Sequence, residues 1–531
     1  MDNAPNDSSS NRESEAARKR LEARLNRKHA GDTGQSGEAR RAGNEGKSKG
    51  GERHGRGPQT KTHVPVVLQS MGDRGSGTGF SSRSSASAQG GPGFGSRKGG
   101  AVSQALGVLA ALLGAVASGV LWLVGFLFST RIPRTKIPLG IVVIVLAFAL
   151  CLFGVNSCNE SKRDAEEQAA AEAVANQQAD QNRVSFLAVG DNLPDKVIGE
   201  WADAQSGSSG DGSYDYTGLY SHIKDYVQAA DLSYVDEESV IGGNEIGPVG
   251  YPTFNTTDEM ADALQSTGFD LVGAASNHTY DHGKSAVTHA ASVLNSKSFT
   301  MVGINESKKK ATSYKLVKSK NISFAFLDYT YGLNDGTSGV SDWLINVYGE
   351  DRLKADVSAA RKEADVVIVA MHWGTEKQTE PDSEEKKYAQ ILADAGADIV
   401  IGSHPHVIQP MEWLKGSGGN KTLVAYSLGN FLSNHDNSNT LPQLEGMVTC
   451  DFVKDEASGS VSIENVTFVP LVNHRVLADK AADCEFGVYA LKNYTSELAK
   501  KHSDFGDLDD PIAWLKEQVD QIMGSDFTID Y

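Results

Sequence analysis

The sequence predicts an α/β layered domain with largely buried sheets, carried behind a membrane-embedded region. Two observations predict the layered part. From Arg183 onward, short apolar runs alternate with amphipathic segments, the pattern of strands alternating with helices. The polar residues that follow those runs are repeatedly His, Asp, Asn or Glu. A third observation predicts the membrane part: two uncharged apolar runs precede the domain, Ala101–Thr130 and Ile137–Val155, each long enough for the roughly 20 residues a spanning helix needs.

Taken in chain order, residues 1–100 are rich in Gly, Ser, Arg and Asn and poor in large apolar residues. They bury too little surface to offset the entropy of ordering, and read as a disordered basic tail. This tail carries a net charge of +8, whereas the chain of 531 residues carries −18, so residues 101–531 carry −26. An acidic body repels a polyanion, which argues against nucleic acid as its partner. The basic tail suits anionic lipid better than nucleic acid. Residues 101–155 form the membrane-embedded region, and Arg131, Arg134 and Lys136 lie between its two runs. The positive-inside rule favours a topology in which only the second run spans, the tail and these cations lie inside, and the domain lies outside. Residues 156–182 are Ala-, Glu- and Gln-rich and read as a helical or flexible stalk.

Within the domain, expected at 183–475, strands are predicted at Val184–Val189, Leu232–Val235, Leu271–Ala275, Ile322–Leu327, Val366–Met371, Ile399–Gly402 and Leu423–Tyr426. Helices are predicted at Thr257–Thr267, Ala286–Asn295, Asp351–Ala364 and Ser383–Ala395. Residues 476–531 read as a helical C-terminal appendage. There is no CxxC pair among the four cysteines, so a thiolate zinc site is not expected. Cys450 and Cys484 are read as buried thiols, with a disulfide as the alternative if the domain is extracellular.

In α/β folds ligands bind beyond strand ends. Five predicted strands deliver polar groups there: Asp191; Asp236 to Glu238; Asn277, His278, Asp281 and His282; His372 and Glu376; His404 and His406. A lone histidine after a strand is more often a hydrogen-bonded structural residue than a ligand, but five of the chain's 13 at strand ends of one domain make a series. Imidazole with carboxylate and amide oxygen suits Mn, Zn or Fe. A set this rich suits two ions, a pair that activates water and stabilises a displacement. His404 and His406 are expected to face one cleft from an extended segment, stiffened by Pro405. Glu376 is read as a general base or as the partner that orients His372. Tyr280 and Trp373 are read as core residues or stacking groups, and Ser427, Gly429 and Asn430 as a tight turn.

These residues come in segments, AVGD at 188–191, GFDLVGAASNHTYDHG at 268–283, VVIVAMHWGTE at 366–376, GADIVIGSHPHVIQPME at 396–412 and YSLGNF at 426–431. In that order they resemble the CapA family of capsule-synthesis proteins linked to poly-γ-glutamate, a branch of the calcineurin-like metallophosphoesterases. The resemblance implies a four-layer α-β-β-α sandwich with a two-metal centre. It implies Asp191, Glu238, Asn277, His372, His404 and His406 as metal ligands. His278 becomes the group that stabilises the transition state or protonates a leaving group, and Asp281 and Glu376 join it as catalytic candidates. It also implies a bacterial cell-membrane location, an anionic polymer or its precursor as substrate, and a polymer synthetase or export complex as partner. Two positions depart from the pattern. Leu193 stands where the wider superfamily carries a histidine, which weakens a plain phosphoesterase reading. Asp236 stands where CapA proteins often carry Asn. A non-catalytic assembly or polymer-binding role is the remaining alternative.

Overall fold

The computed structural model describes residues 100–131, 138–434 and 440–531. The basic tail at 1–99 and the cations Arg134 and Lys136 lie outside the described residues. Helix α1 (Gly100–Ser129) and helix α2 (Leu139–Gln181) come first. Among the described residues α2 alone is long and apolar enough to cross a membrane. Its apolar half is exposed, Ile144, Leu150 and Phe153 among others. The helix then runs on without a break through the Ala/Glu/Gln-rich stretch, 43 residues in all. The stalk is therefore helical, and its end is fastened to the domain: the Asn321 amide donates to the Gln181 carbonyl at 3.0 Å, and Asn321 Nδ2 donates to Asn182 Oδ1 at 3.0 Å.

The domain follows as β1 (Arg183–Leu193), α3 (Lys196–Gln205), α4 (Lys224–Ala229), β2 (Leu232–Glu237), α5 (Glu259–Thr267), β3 (Leu271–Gly273), α6 (Gly283–Ser296), β4 (Thr300–Val302), β5 (Tyr314–Ser319), β6 (Ile322–Thr330), α7 (Glu350–Ala360), β7 (Val366–His372), α8 (Ser383–Ala395) and β8 (Ile399–Ser403). Then come β9 (Met411–Lys415), β10 (Lys421–Ala425), β11 (Asn430–Ser433), β12 (Leu444–Lys454), β13 (Val461–Val476), β14 (Glu485–Ala490), α9 (Ser496–Lys501), α10 (Pro511–Met523) and β15 (Thr528–Ile529). All seven sequence-predicted strands and all four predicted helices are present. Helix α8 begins where Asp382 and Glu385 form a reciprocal capping box and ends at Gly396, whose φ of 104° an L side chain rarely adopts.

Two sheets form. The larger runs β14-β13-β12-β1-β2-β3-β4, with β11 added to β1 and β15 to β13; the smaller runs β5-β6-β7-β8-β10-β9. β1 to β4 are mutually parallel, as are β6, β7, β8 and β10, and antiparallel strands close the edges. Three apolar layers separate four structural ones. Phe186 and Phe452 of the larger sheet pack with Phe326, Ile368 and Ile401 of the smaller. Val235 and Val272 pack outward with Leu264 and Ala291 of α5 and α6. Val369 and Val400 pack with Leu353 and Leu392 of α7 and α8 on the other side. This is an α-β-β-α sandwich, and alternate side chains on each central strand feed opposite layers.

Two expectations are corrected here. The C-terminal region is not purely helical: β14 pairs with β13 over 485–490 and β15 adds Thr528–Ile529, because Phe486, Val488 and Ala490 are buried in the domain core. Cys450 and Cys484 are both free and buried. They sit in different apolar layers, on opposite faces of the larger sheet, which leaves the disulfide alternative unmet.

Where β1 ends, backbone packs on backbone. A Cβ on Gly190 would overlap the Gly429 carbonyl oxygen, and one on Gly402 would overlap that of Tyr426. The first approach lets β11 enter beside β1 with Asp191 opposite Asn430. Gly190→Ala should therefore lower the unfolding free energy of the full chain by about 1–3 kcal/mol or more, since neither backbone can yield without breaking that pairing. Gly332→Ala, with open space around it, should stay within about 0.5 kcal/mol. Denaturant unfolding in detergent measures both, and equal effects would contradict the role given to the contact.

Candidate metal centre

The C-terminal ends of β1, β2, β7 and β8 and the loop after β3 converge on one buried polar cluster. Asp191, Asp236, Glu238, Asn277, His372, His404 and His406 are all buried. His372 lies at its centre. Its Nε2 meets Asn277 Oδ1 at 2.7 Å, and its Nδ1 lies 3.0 Å from Ser403 Oγ and 3.3 Å from Asp236 Oδ2. Asp191 Oδ1 is 3.7 Å from that Nδ1, and Glu238 Oε1 is 3.6 Å from Nε2. His406 Nδ1 meets Asn430 Oδ1 at 2.9 Å and lies 3.4 Å from Asp191 Oδ2. Ligand-type atoms fall into two triads, Asp191 with Asp236 and His372, and Glu238 with His404 and His406, each within 4.8 Å.

The residues fit a cation. Asp236 Oδ1, both Glu238 carboxylate oxygens and His404 Nδ1 are buried and make no hydrogen bond among the described residues. Orphaned atoms of this kind are costly unless something answers them. An N/O donor set without thiolate suits a divalent ion of the Mn, Fe or Zn type.

The electrostatics agree. Burial pushes Glu238 up to about 7 and Asp236 up to about 6, the charge of Asp191 adding to each. Burial works against protonating His372, yet its hydrogen bond to Asp236 and the charges of Glu238 and Asp191 raise it to about 9. His406 rises to about 10 against the same burial, through Glu238 and Asp191. His404 is held well below the usual imidazole range by burial and by the neighbouring histidines, so it is neutral. Protons thus take the place of positive charge among the carboxylates.

The sequence-predicted ligands are therefore brought together, but not all by the expected geometry. The His404–His406 segment is not extended: φ is 92° at His404 and 57° at His406. The chain leaves β8 at Ser403 and is pulled into a bend where the His404 amide donates to Asp191 Oδ2 at 3.0 Å. Such left-handed backbone costs about 1–3 kcal/mol per residue and clusters at functional sites. Glu376 does not orient His372, whose partners are Asp236, Ser403 and Asn277. Gly374, at φ 85°, turns the chain outward after β7 and leaves Glu376 exposed at the lip of a cleft. Trp373 is core, its Nε1–H held by the Tyr426 carbonyl at 2.9 Å, and Tyr280 packs against the α5–α6 layer.

His278 faces that cleft, a cavity of about 510 Å³ also lined by Leu193, Phe254 and His406. Asp281 Oδ2 accepts from His278 Nδ1 at 2.6 Å and from the Phe254 amide at 2.8 Å. A carboxylate only accepts, so Nδ1 carries the hydrogen, and Nε2, with Asn334 Nδ2 at 3.4 Å, is the atom that can exchange a proton. Phe254 packs edge-on against the ring at 4.6 Å.

Asp236, marked in the sequence as a strand-end carboxylate but not named among the ligands, completes the first triad. One residue escaped the sequence reading as a site residue. Asn430, read as a turn residue, orients His406, and only the pairing of β11 with β1 reveals it.

Residues 185–435 match the family model of the bacterial capsule synthesis protein PGA_cap. Over that stretch the domain is similar to that family. The chain is 28% identical over 238 residues to the PGA biosynthesis protein CapA of Bacillus subtilis, 40% of this chain and 56% of that one. It is 28% identical over 180 residues to the capsule biosynthesis protein CapA of Bacillus anthracis, 33% of this chain and 43% of that one. The chain thus spans about half the length of the relatives it matches. Among solved structures, a phosphatase from Mycoplasma pneumoniae aligns with 14% identity and a TM-score of 0.34 over 55% of this chain and 94% of that one. An NAD nucleotidase from Haemophilus influenzae aligns with 11% identity and a TM-score of 0.34 over 64% and 60%.

A cation entering this cluster must displace protons from His372 and His406, and at lower pH from Glu238 and Asp236 as well. Ligands bind as free bases, so affinity rises with pH and falls as pH drops. Mn²⁺ titrations of the full chain between pH 6 and 8.5 should weaken by at least tenfold at the acid end. Calorimetry in buffers of different ionisation enthalpy should register about one proton or more released per ion. A pH-independent affinity would contradict the assignment.

Proposed function

We propose that this chain is a membrane-anchored CapA-type protein acting on an extracellular polymer or its precursor through a metal-dependent hydrolase-type centre. The observation that carries the reading is the His278–Asp281 pair at the open face of two buried ligand triads. Asp191, Asp236 and His372 would hold one ion, and Glu238, His404 and His406 the other, with Asn277 beside His372 as a further oxygen donor. When bound, divalent ions supply Lewis acidity toward a carbonyl or phosphoryl oxygen.

The chain's own residues do the rest. Asp281 holds the His278 Nδ1–H, so Nε2 can take up a second proton and, as part of the imidazolium, pass it to a leaving group or face a developing negative charge. Phe254 keeps one edge of the imidazole out of water, which strengthens the Asp281 bond. Asn430 fixes His406 from behind, as partners of ligating histidines commonly do. Helix α2 is the anchor in this reading, and its polar half, about 40 Å long at 1.5 Å per residue, lifts the domain off the membrane surface. The domain then works outside the cell, where a surface polymer is made, exported or attached.

The test is a chromosomal His278→Asn replacement beside Asp281→Asn, with surface polymer extracted and measured. Polymer should fall by about tenfold or more in the first and less steeply in the second, typical of losing a proton-transfer group. Membrane levels and metal content of the protein should not change. Normal polymer in the His278→Asn strain would reject the catalytic role and favour a binding or assembly function.

A further inference from the structure

Lys377 is the only Lys or Arg among the residues lining the cleft over the metal centre, where Asp195 and Glu376 also stand; Asp195 is engaged as the N-cap of α3. The lysine is exposed and makes no ion pair among the described residues. Its backbone φ is 64°, in the left-handed region. Glycine or asparagine would hold that conformation at less cost, so a lysine there points to a use for the side chain.

The backbone around it is fastened at two points. The Lys377 amide donates at 2.7 Å to the carbonyl of Pro405, between the two ligating histidines. One residue on, the Gln378 carbonyl accepts from the buried Gln409 Nε2 at 3.0 Å. The amine is thus mounted on the same bend that sets His404 and His406. A cation so placed is not needed by the ligands, which have their own carboxylates. Across the cleft, Leu193, Tyr251 and Phe254 supply an apolar wall.

We infer that Lys377 is the anion-recognising residue of this cleft, selecting substrates that carry a carboxylate or phosphate beside the reacting bond. The inference rests on the metal-dependent reading of the site and adds the charge of the group it accepts. The amine offers three donors and a point charge, which suits either anion without the planar fork that arginine would impose.

The probes are inorganic phosphate and glutarate, titrated by calorimetry into the Mn²⁺-loaded full chain in detergent. Lys377→Gly keeps the backbone conformation accessible while removing the amine; Lys377→Arg keeps the charge. The expected result is binding of at least one probe by the unmodified chain, about tenfold weaker in Lys377→Gly, with metal content equal and affinity largely restored in Lys377→Arg. The probe that responds names the anion. Equal affinity in the unmodified chain and Lys377→Gly, with metal retained, would overturn the inference while leaving the metal centre intact. Absence of metal from both chains would instead overturn the reading on which it rests.

Discussion

A buried carboxylate is tolerable only when its charge is answered, and Asp191 sets that problem for the whole centre. It is fully buried at the end of β1. The His404 amide and the His406 and His372 imidazoles all turn toward it. Against the cost of burial, those histidines hold its carboxyl below the usual range. The approach of Gly190 to Gly429 brings β11, and so Asn430, to its side. The convergence of β1, β2, β7 and β8 is thus tied to one charge.

The same constraint explains the strain. Two non-glycine residues in left-handed conformation, one on either side of Pro405, are unfavourable locally. The bend persists because other contacts over-determine it. Ser427 Oγ donates to the Val407 carbonyl at 2.8 Å, the Gln409 amide donates to the Ser427 carbonyl at 3.0 Å, and the Leu428 amide donates to that of Gly402 at 3.1 Å. The YSLGNF segment is therefore more than a turn: it straps the histidine bend from behind while Asn430 reaches around to His406.

Much of this was legible from sequence because each signal was local. β7 reads VVIVAMH and is buried at every residue, so an unbroken apolar run gave the strand and its end gave the candidate ligand His372. Helix α8 was legible in the same way, over Ser383–Ala395, from its own amphipathic pattern. What could not be read depends on pairing between distant segments. β11 lies about 240 residues from β1 in sequence, and nothing near Asn430 signals that partner. The conformations of His404 and His406 follow from a hydrogen bond to Asp191, again remote. Of the two readings of Glu376, the contact with His372 is the one that fails, because the turn at Gly374 carries the residue outward to the cleft. The strands of the C-terminal region were hidden by short helical patterns on either side of them.

The central claim is that the two buried triads hold metal. The most direct measurement is plasma mass spectrometry of the full chain purified in detergent, beside a Glu238→Gln/His406→Gln variant confirmed as folded by circular dichroism. The account predicts about two equivalents of Mn, Fe or Zn in the unmodified chain, reduced to one or fewer in the variant. No bound metal in the unmodified chain, even after reconstitution with each ion, would contradict it and leave the buried carboxylates to be explained by protonation alone.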